Sequence, residues 1–264
     1  MNYIKLFITI LMISLSPFLF GHIVQANSAA MDTATIDSAT MGIATALLQE
    51  SDYSRGNVSG IEWDIDIESR SKGKIQKNSL RVLIKGTNAL AVYQSPAKIK
   101  GRKLLMKDRN MWFIKPGLSK AIPISPRQKL LGGASNGDIA STNYVGDYTI
   151  ESFTKDQFNN EPCFLYELKA KNKKVTYDKI KYWVSMKRKI GLKAQFFTLS
   201  GKMFKTAFFE YDNTIVLNAK NRLFVSKMTI LNAMLKADKT VMSYHNIKIK
   251  KISPSSFNLN LLVR

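Results

Sequence analysis

The fold is decided by the stretch Ile61-Glu62-Trp63-Asp64-Ile65-Asp66-Ile67-Glu68, in which apolar and acidic residues alternate without a break. Successive side chains of a β-strand point to opposite faces of its sheet, so this segment has one apolar and one acidic face. Similar segments recur along the chain. We therefore expect a sheet with one apolar side, which must be covered by the protein's own helices or by a ligand. The acidic side chains are expected to pair with lysines on neighbouring strands.

The first residues have the composition of an export signal. Leu6 to Phe20 is an apolar run. Val24-Gln25-Ala26 places small residues at the positions that a signal peptidase recognises. We place cleavage after Ala26, which predicts a signal peptide over residues 1–26 and an exported, periplasmic chain over residues 27–264. The alternative is an uncleaved membrane anchor, since the run almost spans a bilayer. Lipid attachment would need a cysteine at the cleavage point, and the sequence has none there.

The formal net charge of +21 is the unusual feature of the composition. Such a charge often indicates nucleic-acid binding, but an exported protein rarely meets nucleic acid, so none is predicted. The lysines either attract the protein to an anionic membrane surface or merely solvate the outer face of the sheet. With one cysteine, Cys163, no internal disulfide can form, and stability must come from the core.

The segment order predicts one mainly-β domain. Residues 36–52 are expected to form a helix with Ile36, Ala39, Ile43 and Leu47 on one face and Leu48 at its edge. Turn signals roughly every 10 residues indicate a large antiparallel sheet in meander order. Residues 126–142 read as a glycine-rich excursion with helical turns near 127–131 and 138–141. The predicted strands are 61–68, 79–85, 89–94, 102–106, 111–115, 119–124, 147–153, 163–169, 179–187, 193–199, 203–212, 223–231 and 241–249.

Catalytic side chains are scarce. After cleavage the chain has one histidine, His245, so a histidine-based triad or zinc site would have to form around that imidazole. Residues 133–137 match the G-x-S-x-G pattern of serine hydrolases at Ser135. That motif needs a core strand before it and a helix after it, whereas this copy lies in a glycine-rich loop. We therefore predict no enzyme, no metal site and no cofactor.

Five ordered motifs resemble one family, although each motif alone is weak. They are Pro96-Ala97-Lys98-Ile99-Lys100-Gly101-Arg102, Asn110-Met111-Trp112-Phe113-Ile114-Lys115-Pro116, Ile124-Ser125-Pro126-Arg127-Gln128-Lys129-Leu130-Leu131-Gly132-Gly133, Cys163-Phe164-Leu165-Tyr166-Glu167-Leu168 and Tyr177-Asp178-Lys179-Ile180-Lys181-Tyr182-Trp183-Val184. Over residues 36–260 this order resembles the outer-membrane lipoprotein-sorting proteins, relatives of the periplasmic carrier LolA. The Asn136-Gly137 pair departs from the family, where an aromatic segment is expected.

The resemblance implies a half-open antiparallel β-barrel of about eleven strands, with an N-terminal helix and a short helical excursion covering its concave side. It further implies a periplasmic carrier that binds acyl chains of lipoproteins or other lipids and transfers them towards the outer membrane. A transporter of the resistance-nodulation-division type is an implied inner-membrane partner. The alternative is an envelope sensor or scaffold module of the same fold that binds a protein partner. A monomer is expected.

The predicted groove combines the apolar faces of the strands. An acyl chain in such a groove gains about 0.8 kcal/mol per buried methylene. The lid is expected to be the helix, through Ile43, Leu47 and Leu48, together with the 126–142 excursion. The groove residues are predicted to be Trp63, Ile65, Ile67, Val82, Ile84, Val92, Trp112, Ile114, Phe164, Tyr166, Tyr182, Val184, Phe197 and Phe208.

Overall fold

The computed structural model describes residues 38–140, 143–235 and 237–263. These residues belong to one compact unit. The predicted signal peptide and the first two residues of the predicted helix lie outside the described ranges. The α-helices are α1 (Ser38–Tyr53), α2 (Tyr144–Asp147) and α3 (Leu259–Leu262), with 3-10 turns at Ala97–Ile99, Asn136–Ile139 and Pro254–Phe257. None of these helices is long and apolar enough to cross a membrane.

Seventeen strands alternate with short turns in the described ranges. They are β1 (Ile61–Ser71), β2 (Lys74–Lys85), β3 (Asn88–Ser95), β4 (Lys103–Lys107), β5 (Asn110–Ile114), β6 (Ile122–Ile124), β7 (Lys129–Leu131), β8 (Ala134–Ser135), β9 (Tyr148–Phe158), β10 (Glu161–Ala170), β11 (Lys179–Ser185), β12 (Gly191–Phe197), β13 (Met203–Glu210), β14 (Asn213–Leu217), β15 (Lys220–Phe224), β16 (Lys227–Asn232) and β17 (Lys239–Ile249).

Thirteen of these strands form one antiparallel sheet in the order β6-β5-β4-β3-β2-β1-β17-β16-β13-β12-β11-β10-β9. Strands that are neighbours in the chain pair with each other, as expected of a meander, and β17 returns to pair with β1. The sheet is open between its edge strands, β6 and β9. The predicted large, open antiparallel sheet is confirmed, with thirteen strands in place of about eleven.

The two faces of β1 follow the alternation of its sequence. Ile61, Trp63, Ile65 and Ile67 are all buried on the inner face. On the outer face, the predicted pairing of acidic residues with cationic neighbours is confirmed. Salt bridges join Lys250 to Glu62, Arg81 to Asp64 and Lys77 to Glu68. The charged side chains from Glu62 to Glu68 therefore stay at the surface, and the inner face carries apolar side chains from Ile61 to Ile67.

The sheet curls around its apolar side. Arg109, directly before β5, forms a salt bridge with Asp147, directly before β9, although β5 and β9 lie near opposite edges of the sheet. A flat sheet of thirteen strands spaced by about 4.8 Å could not bring these two positions together. The inner face is therefore concave.

Two local predictions are wrong. The strand expected over 223–231 is divided between β15 and β16, because the Val225 N–H donates to the Ser54 carbonyl and not to a neighbouring strand. The helical turn expected over 127–131 is replaced by β7, which pairs with β8. In the first case the partner is remote in sequence, and in the second a short local hairpin replaces the helical turn.

Candidate lipid-binding face and its lid

Most of the predicted groove residues are brought together by the structure. They line the concave face as parts of one apolar cluster, to which β1, β2, β10 and β11 each contribute alternate positions. Of this set only Phe164 is half-buried, and the others are fully covered. The residues concerned are Trp63, Ile65, Ile67, Val82, Ile84, Phe164, Tyr166, Tyr182 and Val184.

The five remaining groove predictions are wrong, because their side chains lie on the outer face. Val92, Trp112 and Ile114 pack there under the C-terminal segment, against Ile252 and Phe257. Strands β3 and β5 are apolar on both faces, so alternation alone could not decide which set points inwards.

On the other half of the sheet, Phe197 follows a register shift after the buried Phe196 and lines an outer hollow with Lys181. Phe208 stacks on Phe158 at 6.0 Å between ring centroids. Its neighbours Ala207 and Phe209 face inwards instead. Because of the register shift at Phe197 and the adjacent pair Phe208-Phe209, the alternation of the sequence does not reveal which side chain faces inwards.

Several inner-face residues were missed. Leu80, Phe196, Phe209, Met242 and Tyr244 all belong to the inner cluster. Leu80 could have been found by continuing the alternation of Val82 and Ile84 along β2. Phe196 and Phe209 could not, because each is half of a Phe-Phe pair.

Three segments outside the sheet cover the concave face, and we call them together the lid. They are α1, the strap (residues 126–147, described except 141–142) and the hairpin β14–β15. Two positions of α1, Ala44 and Leu48, are fully buried, and Leu47 packs beside them. The predicted contact through Ile43 is wrong, since 58% of its surface is exposed. The buried side of α1 continues through the polar Ser51 and Asp52, which displaced the expected apolar face.

Four polar contacts hold α1 in place. The Tyr166 hydroxyl on β10 donates to the Ala44 carbonyl at 3.0 Å. One carboxylate oxygen of Asp52 accepts from the Val145 N–H of the strap at 2.9 Å. The Ser54 carbonyl accepts from Val225 beside the hairpin, and Glu50 pairs with Arg222 of the hairpin. The helix is therefore tied to the sheet by one hydrogen bond and to the rest of the lid by three contacts.

A buried cation lies beneath the end of α1. The Arg55 guanidinium is 4.5 Å from the ring centroid of Tyr144 and 4.9 Å from that of Phe209. Asp52, Arg55 and Tyr182 are all buried or nearly so. Burial raises the pKa of Asp52 to about 7, against the lowering by the Val145 N–H and Arg55. Burying charged and polar groups costs free energy that their partners must offset, so this end of α1 is costly to bury.

The strap lies directly on the sheet, which explains its glycines. A Cβ at Gly132 would stand 2.0 Å from Ser69 Oγ, and φ there is +56°; a Cβ at Gly137 would stand 1.9 Å from Thr176 Oγ1. The strap is anchored by a buried ion pair, in which Lys205 Nζ lies 2.8 Å from Asp138 Oδ2. Burial lowers the pKa of Lys205.

The three lid segments do not pack tightly against one another where they meet. A hollow of about 590 Å³ lies between the end of α1, the strap and the hairpin turn, next to Tyr53, Val145 and Leu217. The concave face itself is filled by the protein's own side chains, with Trp63, Phe196 and Phe224 fully buried. The predicted groove is therefore filled in this structure, with the lid in place over it.

Ser135 and His245 do not form a catalytic pair. Ser135 belongs to the strap over the concave face, where its N–H donates to Asp138 Oδ2 at 2.8 Å. His245 Nε2 is 3.8 Å from Asp66 Oδ2 among the outer acidic side chains of β1. The sheet separates the two, so the G-x-S-x-G match has no histidine base.

Asp52→Asn is expected to change how stability depends on pH. Asp52 keeps its proton in the folded state up to pH about 7, whereas it ionises near 3.8 when unfolded. The contribution of the protonated Asp52 to the free energy of unfolding is therefore complete below pH about 4. It is lost as the pH rises through about 7. In urea unfolding, the free energy of wild type minus that of Asp52→Asn should fall over this range and then stay constant.

The matched control for this measurement is Asp108→Asn, at an exposed turn. It measures the effect of the same side-chain change at a position outside the lid. A pH-independent difference for Asp52→Asn would contradict the assigned burial.

Comparisons with known proteins agree with this architecture. A family model described as an uncharacterized protein matches residues 85–264, more than half of the chain. A search of curated proteins gives no match.

Solved structures give the closer parallels. A LolA superfamily protein from Nitrosomonas europaea has a TM-score of 0.74 and 26% identity, covering 81% of this chain and 97% of that chain. A putative outer membrane lipoprotein-sorting protein domain from Vibrio parahaemolyticus has a TM-score of 0.70 and 17% identity, covering 83% and 98%. A DUF1329 family protein from Desulfovibrio piger has a TM-score of 0.70 and 19% identity, covering 84% and 98%. The last two show likeness of fold. The chain therefore belongs to the family of that model and has the LolA-like fold that its ordered motifs indicated.

Proposed function

We propose that the protein is a periplasmic carrier that binds acyl chains of lipoproteins or other lipids on its concave face and transfers them towards the outer membrane. One observation carries the proposal. The large apolar face of the sheet is covered by segments that are not part of the sheet, and α1 contributes only Ala44 and Leu48 as fully buried apolar side chains. Removing α1 would leave every strand pairing intact.

The free energy of apolar burial favours replacement of α1 by an acyl chain. Burying Leu48 stabilises the closed state by about 1.5–3 kcal/mol, and Ala44 adds less. An acyl chain of about 16 carbons gains about 0.8 kcal/mol for each methylene that it buries, or about 12 kcal/mol in all. Even half of that gain exceeds the apolar contribution of α1. The desolvation of Asp52 and Arg55 on burial reduces the stability of the covered state further.

An entry point lies between α1 and the edge of the sheet. Phe153 on β9 stacks on Phe164 of β10 with 4.5 Å between ring centroids, and lies 4.9 Å from the ring of Tyr166. Phe153 and Phe164 are half-buried, whereas Tyr166 is fully buried below α1. These rings form an apolar path from the open edge at β9 to the helix, along which a chain can advance by displacing α1.

Release of the acyl chain is accompanied by re-formation of the contacts that hold α1. When the guest leaves, the Tyr166–Ala44 hydrogen bond and the Asp52–Val145 hydrogen bond form again, and the lid returns. An acceptor therefore needs a higher affinity for the acyl chain than the open face has. A transporter of the resistance-nodulation-division type, implied by the family resemblance, is the proposed donor at the inner membrane.

The second candidate is an envelope sensor or scaffold module that binds a protein partner. The observation in its favour is that the concave face is filled by residues such as Phe196 and Phe224. A scaffold would bind its partner equally well whether or not an acyl chain is present. A carrier would bind acyl chains without any partner.

Phe164→Glu is expected to lower the affinity for a fluorescent fatty-acid probe by about tenfold or more, because an acyl chain would have to desolvate the new carboxylate. The matched control is Phe197→Glu, another half-buried phenylalanine, which lies on the outer face. It should bind the probe as wild type does. Circular dichroism verifies that both variants fold. Absence of probe binding by the wild type, or an equal loss in both variants, would overturn the carrier proposal.

Tyr166→Phe is expected to have the opposite effect. The change removes the hydrogen bond to Ala44 and keeps the ring, so it destabilises the closed lid by about 0.5–1.5 kcal/mol. Because binding requires the open state, the probe affinity should increase about 2- to 10-fold. Tyr211→Phe is the control, since its hydroxyl donates to the Gly191 carbonyl outside the lid. Weaker or unchanged binding by Tyr166→Phe would show that this bond does not restrain the lid.

A further inference from the structure

Two neighbouring turns expose large apolar side chains at one end of the sheet. The β12–β13 turn exposes Leu199 to 71%, and the β16–β17 turn exposes Met234 to 67% and Leu235 to 48%. We call these three side chains the apolar tips. Strands β13 and β16 pair directly, and the Ala233 N–H donates to the Phe204 carbonyl, so the two turns lie side by side.

Hydrogen bonds fix both turns in the conformations that expose the tips. Asn232 Oδ1 accepts from the Met234 and Leu235 N–H groups at 2.8 and 3.1 Å. Thr198 Oγ1 accepts from the Lys202 N–H at 3.2 Å, and the Gly201 N–H donates to the Thr198 carbonyl. Tight turns are usually occupied by polar residues and glycine. Leucine and methionine at these positions therefore indicate a surface that contacts an apolar partner.

The same end of the sheet is positively charged. Lys72, Lys74, Lys202 and Lys239 lie in or beside the β1–β2, β12–β13 and β16–β17 turns, and all four are exposed. Within the described part of the chain none of them forms a salt bridge, whereas lysines on the outer face, such as Lys77 and Lys181, do. The sequence of these three turns contains one carboxylate, Asp238.

We propose that this end of the protein docks on an anionic lipid surface. The apolar tips would enter the boundary between headgroups and acyl chains, and the lysines would bind lipid phosphates. The apolar tips lie beside lysines that form no salt bridge within the described residues, and this positive charge is complementary to anionic headgroups. A fluid bilayer can take up such separate side chains without a preformed groove.

The docking end is also the end that the strap covers. Gly132 of the strap lies against Ser69 and Thr240, which are close to the β1–β2 and β16–β17 turns. Resting on the proposed carrier function, docking would place the bilayer next to the strap. An acyl chain could then pass between the membrane and the concave face without crossing water.

Vesicle co-sedimentation of the full mature chain tests the proposal. Vesicles of phosphatidylcholine with phosphatidylglycerol should bind the wild type, and vesicles of phosphatidylcholine alone should bind it at least about tenfold more weakly. Leu199→Ser combined with Met234→Ser and Leu235→Ser should lower binding about tenfold or more. The control is Val216→Ser, which changes an exposed apolar side chain on the β14–β15 hairpin and should leave binding unchanged.

A second pair of variants separates a specific surface from total charge. Changing Lys72, Lys74, Lys202 and Lys239 to Gln should abolish the preference for phosphatidylglycerol. Changing the exposed residues Lys107, Lys189, Lys220 and Lys248 to Gln removes the same charge at the opposite end and should have little effect. An equal loss in both sets, or no vesicle binding by the wild type, would overturn the membrane proposal.

The same variants distinguish this proposal from the carrier function. Changes at the docking end should leave affinity for a soluble fatty-acid probe unchanged, whereas Phe164→Glu should weaken probe binding and leave vesicle binding intact. The apolar tips could be required for lipid transfer although the wild type does not bind vesicles. In that case the tips contact a protein acceptor, and the membrane proposal is wrong.

Discussion

The apolar face of a curved thirteen-stranded sheet has to be kept from water, and the rest of the structure depends on this constraint. Alternation along β1 directs Trp63, Ile65 and Ile67 inwards and the acidic residues outwards. The sheet cannot close on itself, because its order ends at β6 and β9. The chain covers the face instead with α1, the strap and the hairpin β14–β15. Coverage by separate segments is the feature on which the proposed exchange of α1 for an acyl chain depends.

The cover combines weak apolar contact with polar groups that are costly to bury. On α1 the buried side ends in Ser51 and Asp52, followed by Arg55 among aromatic rings. The strap depends on the Lys205–Asp138 ion pair. Such groups define one position for each segment, because any displacement leaves charges without partners. Such groups add little net stability. A cover of this kind fits the proposed carrier function, which requires binding and release of a long acyl chain.

The sequence predicted the fold well and the lining of the concave face only in part. Where one face of a strand is polar, as in Ile61–Glu68, alternation assigns the faces correctly. Alternation fails in β3 and β5, where Val92 and Trp112 pack into a second small core under the C-terminal segment. It fails again at Phe197, after a register shift that no local signal announces. The contact of α1 was misassigned because Ala44 and buried polar residues replace the expected Ile43. These errors share a cause, since each depends on pairing or packing that the alternation within one segment does not encode.

The central claim is that α1 leaves the sheet when a guest enters. Hydrogen–deuterium exchange of the protein with and without a palmitoyl probe tests it most directly, because amides of α1 and of β1 can be followed separately. The account predicts faster exchange over residues 38–53 and equal or slower exchange over 61–71 when the probe is bound. Equal or slower exchange over residues 38–53 in the presence of bound probe would contradict it.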